Sequence, residues 1–78
     1  MIEAIRKALA ERKARKLANL NRRGYDYAAG RLLEDGDTAI SILENQVDSS
    51  RTFGDYNEFD KGIERALEDF RELQQAMF

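Results

Sequence analysis

The chain has no cysteine and no histidine among its 78 residues, and it also lacks proline and tryptophan. The first two absences exclude disulfides, thiol and imidazole nucleophiles, and the usual ligand sets for zinc, haem and iron–sulfur clusters. Calcium needs only oxygen ligands, but an EF-hand loop that starts at Asp55 would have Phe59 at position 5, where an oxygen ligand is required. We therefore expect no metal and no cofactor.

Long apolar runs are missing as well. No segment approaches the roughly 20 apolar residues of a membrane-spanning helix, and the N-terminal segment MIEAIRKALAERKARK has charges too closely spaced for a signal peptide. Seven aromatic residues shared among short helices leave little room for a substrate pocket. The sequence thus predicts a cytoplasmic protein that is not an enzyme, takes no small-molecule substrate and has no membrane contact.

Without proline, and with many Ala, Leu, Glu, Arg and Lys residues, the sequence favours helices throughout, and glycine and aspartate mark where they stop. We predict a single helical domain over residues 1–78 with four helical segments. The first segment is basic and ends at Gly24. The second runs from Tyr25 to Glu34, with Gly36 as its C′ residue.

Two aspartates are the predicted starts of the remaining segments. Asp37 opens the third, and Asp55, followed by Glu58 at the spacing of a capping box, opens the fourth. Residues Ser49–Gly54 lack periodicity and are predicted to form a loop with Phe53 tucked inward. Because short connections favour antiparallel neighbours, the predicted fold is an all-α bundle of three to four helices, with a long basic N-terminal helix and a long C-terminal helix.

The C-terminal helix carries a heptad pattern of apolar residues, spaced alternately by three and four positions. This predicted self-association seam consists of Tyr56, Phe59, Ile63, Ala66, Phe70, Leu73 and Met77. Such a seam needs a second helix along its length, and Gly62 beside it indicates a close helix crossing. A chain of this size buries only about 60% of its unfolded surface and is marginally stable alone. We therefore expect a homodimer.

Charge is divided unevenly along the chain. Residues 1–31 carry nine Lys/Arg and three Asp/Glu, a net charge of +6, whereas residues 32–78 carry four and twelve, a net charge of −8. On a helical wheel, Lys13 and Lys16 fall within the only apolar stripe of the first helix. Either these side chains extend along the surface of a loosely docked helix, or Arg12, Lys13, Arg15 and Lys16 face an acidic partner.

The segment from Arg22 to Arg31 concentrates arginine, tyrosine and glycine, the first two of which dominate binding hot spots. It has two interpretations: a junction between helices with packed tyrosines, or a partner-binding surface. The predicted partner-binding residues are Arg12, Lys13, Arg15, Lys16, Arg22, Arg23, Tyr25, Tyr27 and Arg31.

The stretches GYDYAAGRLLEDGDTAISIL and FGDYNEFDKGIERALEDF together resemble short uncharacterised helical proteins of tailed bacteriophages and prophages. The resemblance covers about residues 22–71 and implies a setting, the bacterial host cell, with no activity or functional residue attached. Small phage proteins in that setting bind and redirect host enzymes, nucleoprotein complexes or defence systems.

The predicted function is that of a small non-catalytic protein that binds and modulates a host macromolecule, as an inhibitor in host takeover or anti-defence. A host protein is the expected partner. One alternative is a nucleic-acid-binding accessory protein that uses the basic N-terminal helix. Another is a small structural or assembly factor.

Overall fold

The computed structural model describes residues 1–76, which form three α-helices and contain no strand. Helix α1 spans Ile2–Asp35, α2 spans Asp37–Thr52 and α3 spans Glu58–Ala76. The predicted all-α class is confirmed, with three helices in place of four segments.

Helix α1 is continuous over 34 residues, so the predicted break at Gly24 is wrong. Gly24 lies inside the helix and is buried against α3. A Cβ atom at this position would lie 2.0 Å from the carbonyl oxygen of Phe59. The glycine therefore serves close packing between two helices, and the predicted first and second segments are one element.

The junction between α1 and α2 is a single glycine, as predicted. Gly36 has a φ of 59°, a conformation that glycine adopts without strain, and its N–H donates to the Leu32 carbonyl. Asp37 is the first residue of α2 rather than its cap. Its carboxylate instead accepts a hydrogen bond from Gln74 of α3 at 2.5 Å, which ties the start of α2 to the end of α3.

Helix α3 begins two residues later than the predicted cap at Asp55 implied. The Asn57 side-chain oxygen accepts hydrogen bonds from the N–H groups of Phe59 and Asp60, at 2.9 and 3.4 Å. The Asp60 carboxylate in turn accepts from the Asn57 N–H at 3.1 Å. This reciprocal pair is a capping box, and it provides the buried Asp60 with a partner.

The connection between α2 and α3 also differs from the predicted loop. Residues Ser49–Thr52 belong to α2, and the helix ends at Phe53. Phe53 is 78% exposed, so its predicted inward position is wrong. Gly54, with a φ of 77°, and Asp55 then bond back to the last turn of α2.

The core lies where the three helices meet. It consists of eight buried apolar side chains: Ala28, Leu32, Ala39, Leu43, Val47, Ile63, Ala66 and Leu67. The close crossing predicted at Gly62 is present, because a Cβ there would lie 2.0 Å from the Asn21 carbonyl oxygen of α1. Gly24 and Gly62 thus let α1 and α3 approach each other from both sides.

Candidate functional site

The first half of α1 extends beyond the bundle. All residues from Ile2 to Asn19, which we call the arm, are exposed. At 1.5 Å per residue the arm is about 27 Å long. Of the two interpretations of this helix, the loosely docked one is not supported, since Ile2, Ile5 and Leu9 of its apolar stripe stay 59–68% exposed.

Large aliphatic side chains are exposed on the arm. Ile2, Ile5 and Leu9 are 59–68% exposed, and Leu17 is 41% exposed. The first three follow the i, i+3, i+7 spacing of one helix face. Because most helical stability in proteins comes from packing of an amphipathic face, an uncovered stripe of this kind favours contact with another molecule.

The basic residues of the arm are concentrated in its second half. Arg12, Lys13, Arg15 and Lys16 are exposed, and within the described part of the chain none of them forms an ion pair. Residues 2–11 have two basic and two acidic groups, whereas residues 12–19 have four basic groups and no acidic one. The arm thus has an aliphatic, electrically neutral tip and a cationic base.

The two tyrosines among the predicted partner-binding residues, Tyr25 and Tyr27, bond to other helices of the same chain. The Tyr25 hydroxyl donates to Asp69 of α3 at 2.5 Å, and this hydrogen bond, reinforced by desolvation, raises the pKa of Tyr25 above its usual value of 10.0. The Arg65 guanidinium lies 4.8 Å from the centre of the same ring. The Tyr27 hydroxyl donates to Gln46 of α2 at 3.1 Å. The tyrosines are thus packed, as the helix-junction interpretation expected, but the junction itself is absent, because α1 is continuous through this segment.

The three arginines of that segment make no hydrogen bond or ion pair to another helix within the described residues. Arg22 and Arg23 are exposed, and Arg31 lies 3.8 Å from Asp35 one turn later on α1. Lys16 and Tyr25 are nine residues apart, or about 13 Å along the helix. The predicted partner-binding residues therefore divide into the four basic residues of the arm, three arginines that do not bond to another helix, and two tyrosines that join the helices.

The heptad seam faces the core of its own chain. Ile63 and Ala66 are buried in the core, and Tyr56, Phe59 and Phe70 pack against it. The second helix that the seam requires is α1 of the same chain. In this part of the predicted self-association surface only Leu73 is largely exposed, at 63%, and Met77 lies outside the described residues.

A groove between α2 and α3 was not anticipated from the sequence. It has a volume of about 680 Å³. Ten residues line this acidic groove: Glu44, Val47, Asp48, Arg51, Glu64, Leu67, Glu68, Arg71, Glu72 and Gln75. Five of them are acidic and two are basic. The available signal was the recurrence of Glu at every fourth position, 64, 68 and 72, which places three carboxylates on one face of α3.

Two arginines bridge the acidic groove from one helix to the other. Arg51 of α2 binds Glu64 of α3 at 2.9 Å, and Arg71 of α3 binds Glu44 of α2. The other three carboxylates of the groove, Asp48, Glu68 and Glu72, make no ion pair within residues 1–76. The groove therefore keeps a net negative charge after its internal pairs are counted.

Neither a metal site nor a membrane span is found in the described part of the chain. Residues 1–76 contain no group of three or more acidic side chains placed to hold a metal ion, and no helix there is long and apolar enough to cross a membrane. Comparisons with protein-family models, curated proteins and solved structures found no match to this chain.

Proposed function

We propose that this protein acts by stoichiometric binding to another macromolecule, without catalysis, and that the arm is its docking element. The observation that supports the proposal best is that 18 consecutive helical residues are all exposed, four large aliphatic side chains among them. Amphipathic helices with i, i+3, i+7 anchors bind in apolar grooves of partner proteins.

The setting of this binding is the bacterial cell, and the partner is a host protein that the arm binds and modulates. Ile2, Ile5 and Leu9 enter an apolar groove of the partner, and the cationic base of the arm contacts acidic groups at the rim of that groove. Rim charges of this kind accelerate association and select against partners of the wrong sign. The bundle holds the arm at a fixed direction and needs no catalytic group.

The test is affinity capture from bacterial lysate with a tagged chain, followed by measurement of binding to the captured protein after purification. Replacement of Ile2, Ile5 and Leu9 with alanine should weaken binding roughly tenfold or more, because buried aliphatic anchors contribute about 1–3 kcal/mol each. The matched control is Arg22→Gln with Arg23→Gln, outside the arm, which should bind as the wild type does. Equal binding by the alanine variant would overturn the proposal.

Nucleic-acid binding is the second candidate, and one observation favours it. Residues 12–23 contain six basic groups and no acidic one, and the arm projects away from the acidic bundle, which would otherwise repel phosphates. This candidate leaves the aliphatic tip of the arm without a contact, and for that reason it is second.

Fluorescence anisotropy with a short DNA duplex at several salt concentrations separates the two candidates. If the arm binds phosphates, replacement of Arg12, Lys13, Arg15 and Lys16 with Gln should lower the slope of log K against log salt by about 3–4, since each phosphate contact contributes roughly 0.9. The Ile2, Ile5 and Leu9 variant should then bind DNA normally. Nuclease treatment of the lysate should abolish capture if nucleic acid is the partner.

A further inference from the structure

The aliphatic stripe of the arm, Ile2, Ile5 and Leu9, is exposed to solvent when no other macromolecule is present, and this favours its burial against a second copy of the chain. Two arms could cover each other only as a short coiled coil. With Ile2, Ile5 and Leu9 in the a and d positions, the next two such positions are Arg12 and Lys16. The apolar contact would end within two heptads, and like charges would then face each other. An arm therefore needs a different surface from a second arm.

The acidic groove is opposite in charge to the base of the arm. Its three carboxylates without an ion pair in the described chain, Asp48, Glu68 and Glu72, are matched by the four basic residues at the base of the arm. On α3 the groove runs from Glu64 to Gln75, about 16 Å, which is shorter than the arm. Two of the residues that line the groove, Val47 and Leu67, are apolar.

The arm cannot reach the groove of its own chain. Helix α1 is continuous from Ile2 to Asp35, and a helix without proline, a bulge or a break does not fold back on itself. The groove also lies between α2 and α3 rather than beside the arm. The acidic groove that the arm can bind is therefore that of a second copy.

We infer that the protein forms a symmetric dimer in which the arm of each copy docks in the acidic groove of the other. A two-fold axis relates the two contacts, so that the arm of the first copy lies in the groove of the second and the arm of the second copy lies in the groove of the first. Reciprocal docking buries twice the area of a single arm, towards the roughly 1,200–2,000 Å² of a stable interface. A partner macromolecule then competes with the second copy for the arm.

Three forms of the chain test the dimer by light scattering after size-exclusion chromatography. The arm-reversed form carries Glu at positions 12, 13, 15 and 16, and the groove-reversed form carries Asp48→Lys, Glu68→Lys and Glu72→Lys. The wild type should be dimeric at low salt, and each reversed form alone should dimerise roughly tenfold or more weakly, since like charges then meet at both contacts. An equimolar mixture of the two reversed forms should restore a heterodimer.

A monomeric wild type at millimolar concentration and low salt would overturn the inference, and so would reversed forms that stay dimeric or a mixture that stays monomeric. The matched control, Arg22→Glu with Arg23→Glu, changes charge on α1 outside the arm and should remain dimeric. Circular dichroism checks that each form is folded. If the groove-reversed form unfolds, Glu68→Gln with Glu72→Gln replaces it, because these changes remove charge without changing shape.

The experiments can contradict the dimer hypothesis and the proposed function independently of each other. Because the groove-reversed form dimerises more weakly and keeps an intact arm, it should bind a captured partner at least as tightly as the wild type does. If the charge-swap mixture restores the dimer while no form binds a partner, only the proposed function fails. If the chain is monomeric and still binds a partner through Ile2, Ile5 and Leu9, only the dimer fails.

Discussion

At the scale of single residues, two glycines set the distance between α1 and α3. A Cβ at Gly24 would lie 2.0 Å from the carbonyl oxygen of Phe59, and a Cβ at Gly62 would lie 2.0 Å from that of Asn21. The obstacles are backbone atoms, which cannot rotate away as a side chain can. Each glycine therefore accommodates the backbone of the opposite helix.

Gly24→Ala and Gly62→Ala should each destabilise the protein by about 1–3 kcal/mol, because the helices must separate to admit a methyl group. Gly30→Ala is the matched control. Gly30 lies in the same helix as Gly24, and a Cβ there would meet no atom within 4 Å apart from its chain neighbours and its own helix backbone, so alanine there should stabilise by about 0.4–1 kcal/mol. Urea unfolding followed by circular dichroism measures all three, and a gain at Gly24 or Gly62 would contradict the close crossing.

Glu58 links the start of α3 to α1. Its carboxylate accepts hydrogen bonds from Lys61 at 3.0 Å and Asn21 at 3.1 Å, and these two contacts, the Lys61 contact first, lower the pKa of Glu58 below its usual 4.5. Because the folded state has the lower pKa, the stabilisation is present above pH 4.5 and is lost as the pH falls through the folded pKa.

Glu58→Gln should therefore be less stable than the wild type at neutral pH, and the difference should shrink as the pH falls below 4.5. The measurement is the free energy of unfolding of both proteins across the acid range. Glu11→Gln is the control, since Glu11 lies on the arm and makes no hydrogen bond or ion pair to any described side chain. A difference for Glu58→Gln that does not change with pH would contradict the assignment.

At the scale of helices, the sequence predicted which parts of the chain are helical better than it predicted where each helix begins and ends. Gly24 and Gly36 look alike in the sequence, yet one packs against a helix and the other ends one, and only the neighbouring α3 distinguishes them. The cap of α3 was ambiguous because Asp55 with Glu58 and Asn57 with Asp60 both have capping-box spacing. The structure uses the second pair, in which Asp60 is buried and needs the bond.

The arm is expected to contribute little to the stability of the bundle. Deletion of residues 2–18 should change the free energy of unfolding of the bundle by less than about 0.5 kcal/mol, because all of the deleted residues are exposed. The measurement belongs at high salt, where charge-driven self-association is screened. A loss of about 2 kcal/mol or more would mean that the arm packs on the bundle.

At the scale of the whole molecule, the sequence predicted the separation of charge but not its arrangement in space. The excess of basic residues near the N-terminus is visible from composition, and Lys13 and Lys16 within the apolar stripe indicated an unusual helix. The acidic groove could not be predicted, because it combines Glu44 and Asp48 of α2 with Glu64, Glu68 and Glu72 of α3. Their proximity depends on the packing of two helices that are separated by a turn.

The projecting arm also determines the size of the molecule in solution. A compact domain of 78 residues has a radius of gyration of about 11.5 Å, whereas the Cα radius of gyration of this chain is 15.8 Å, with a longest dimension of 56 Å. At high salt and low concentration, where the dimer dissociates, small-angle X-ray scattering should give the larger value. Removal of residues 2–18 should reduce the radius of gyration to about 10–11 Å. A full-length monomer near 11.5 Å would show that the arm folds against the bundle, and the arm would then be unavailable to a second copy or to any other partner.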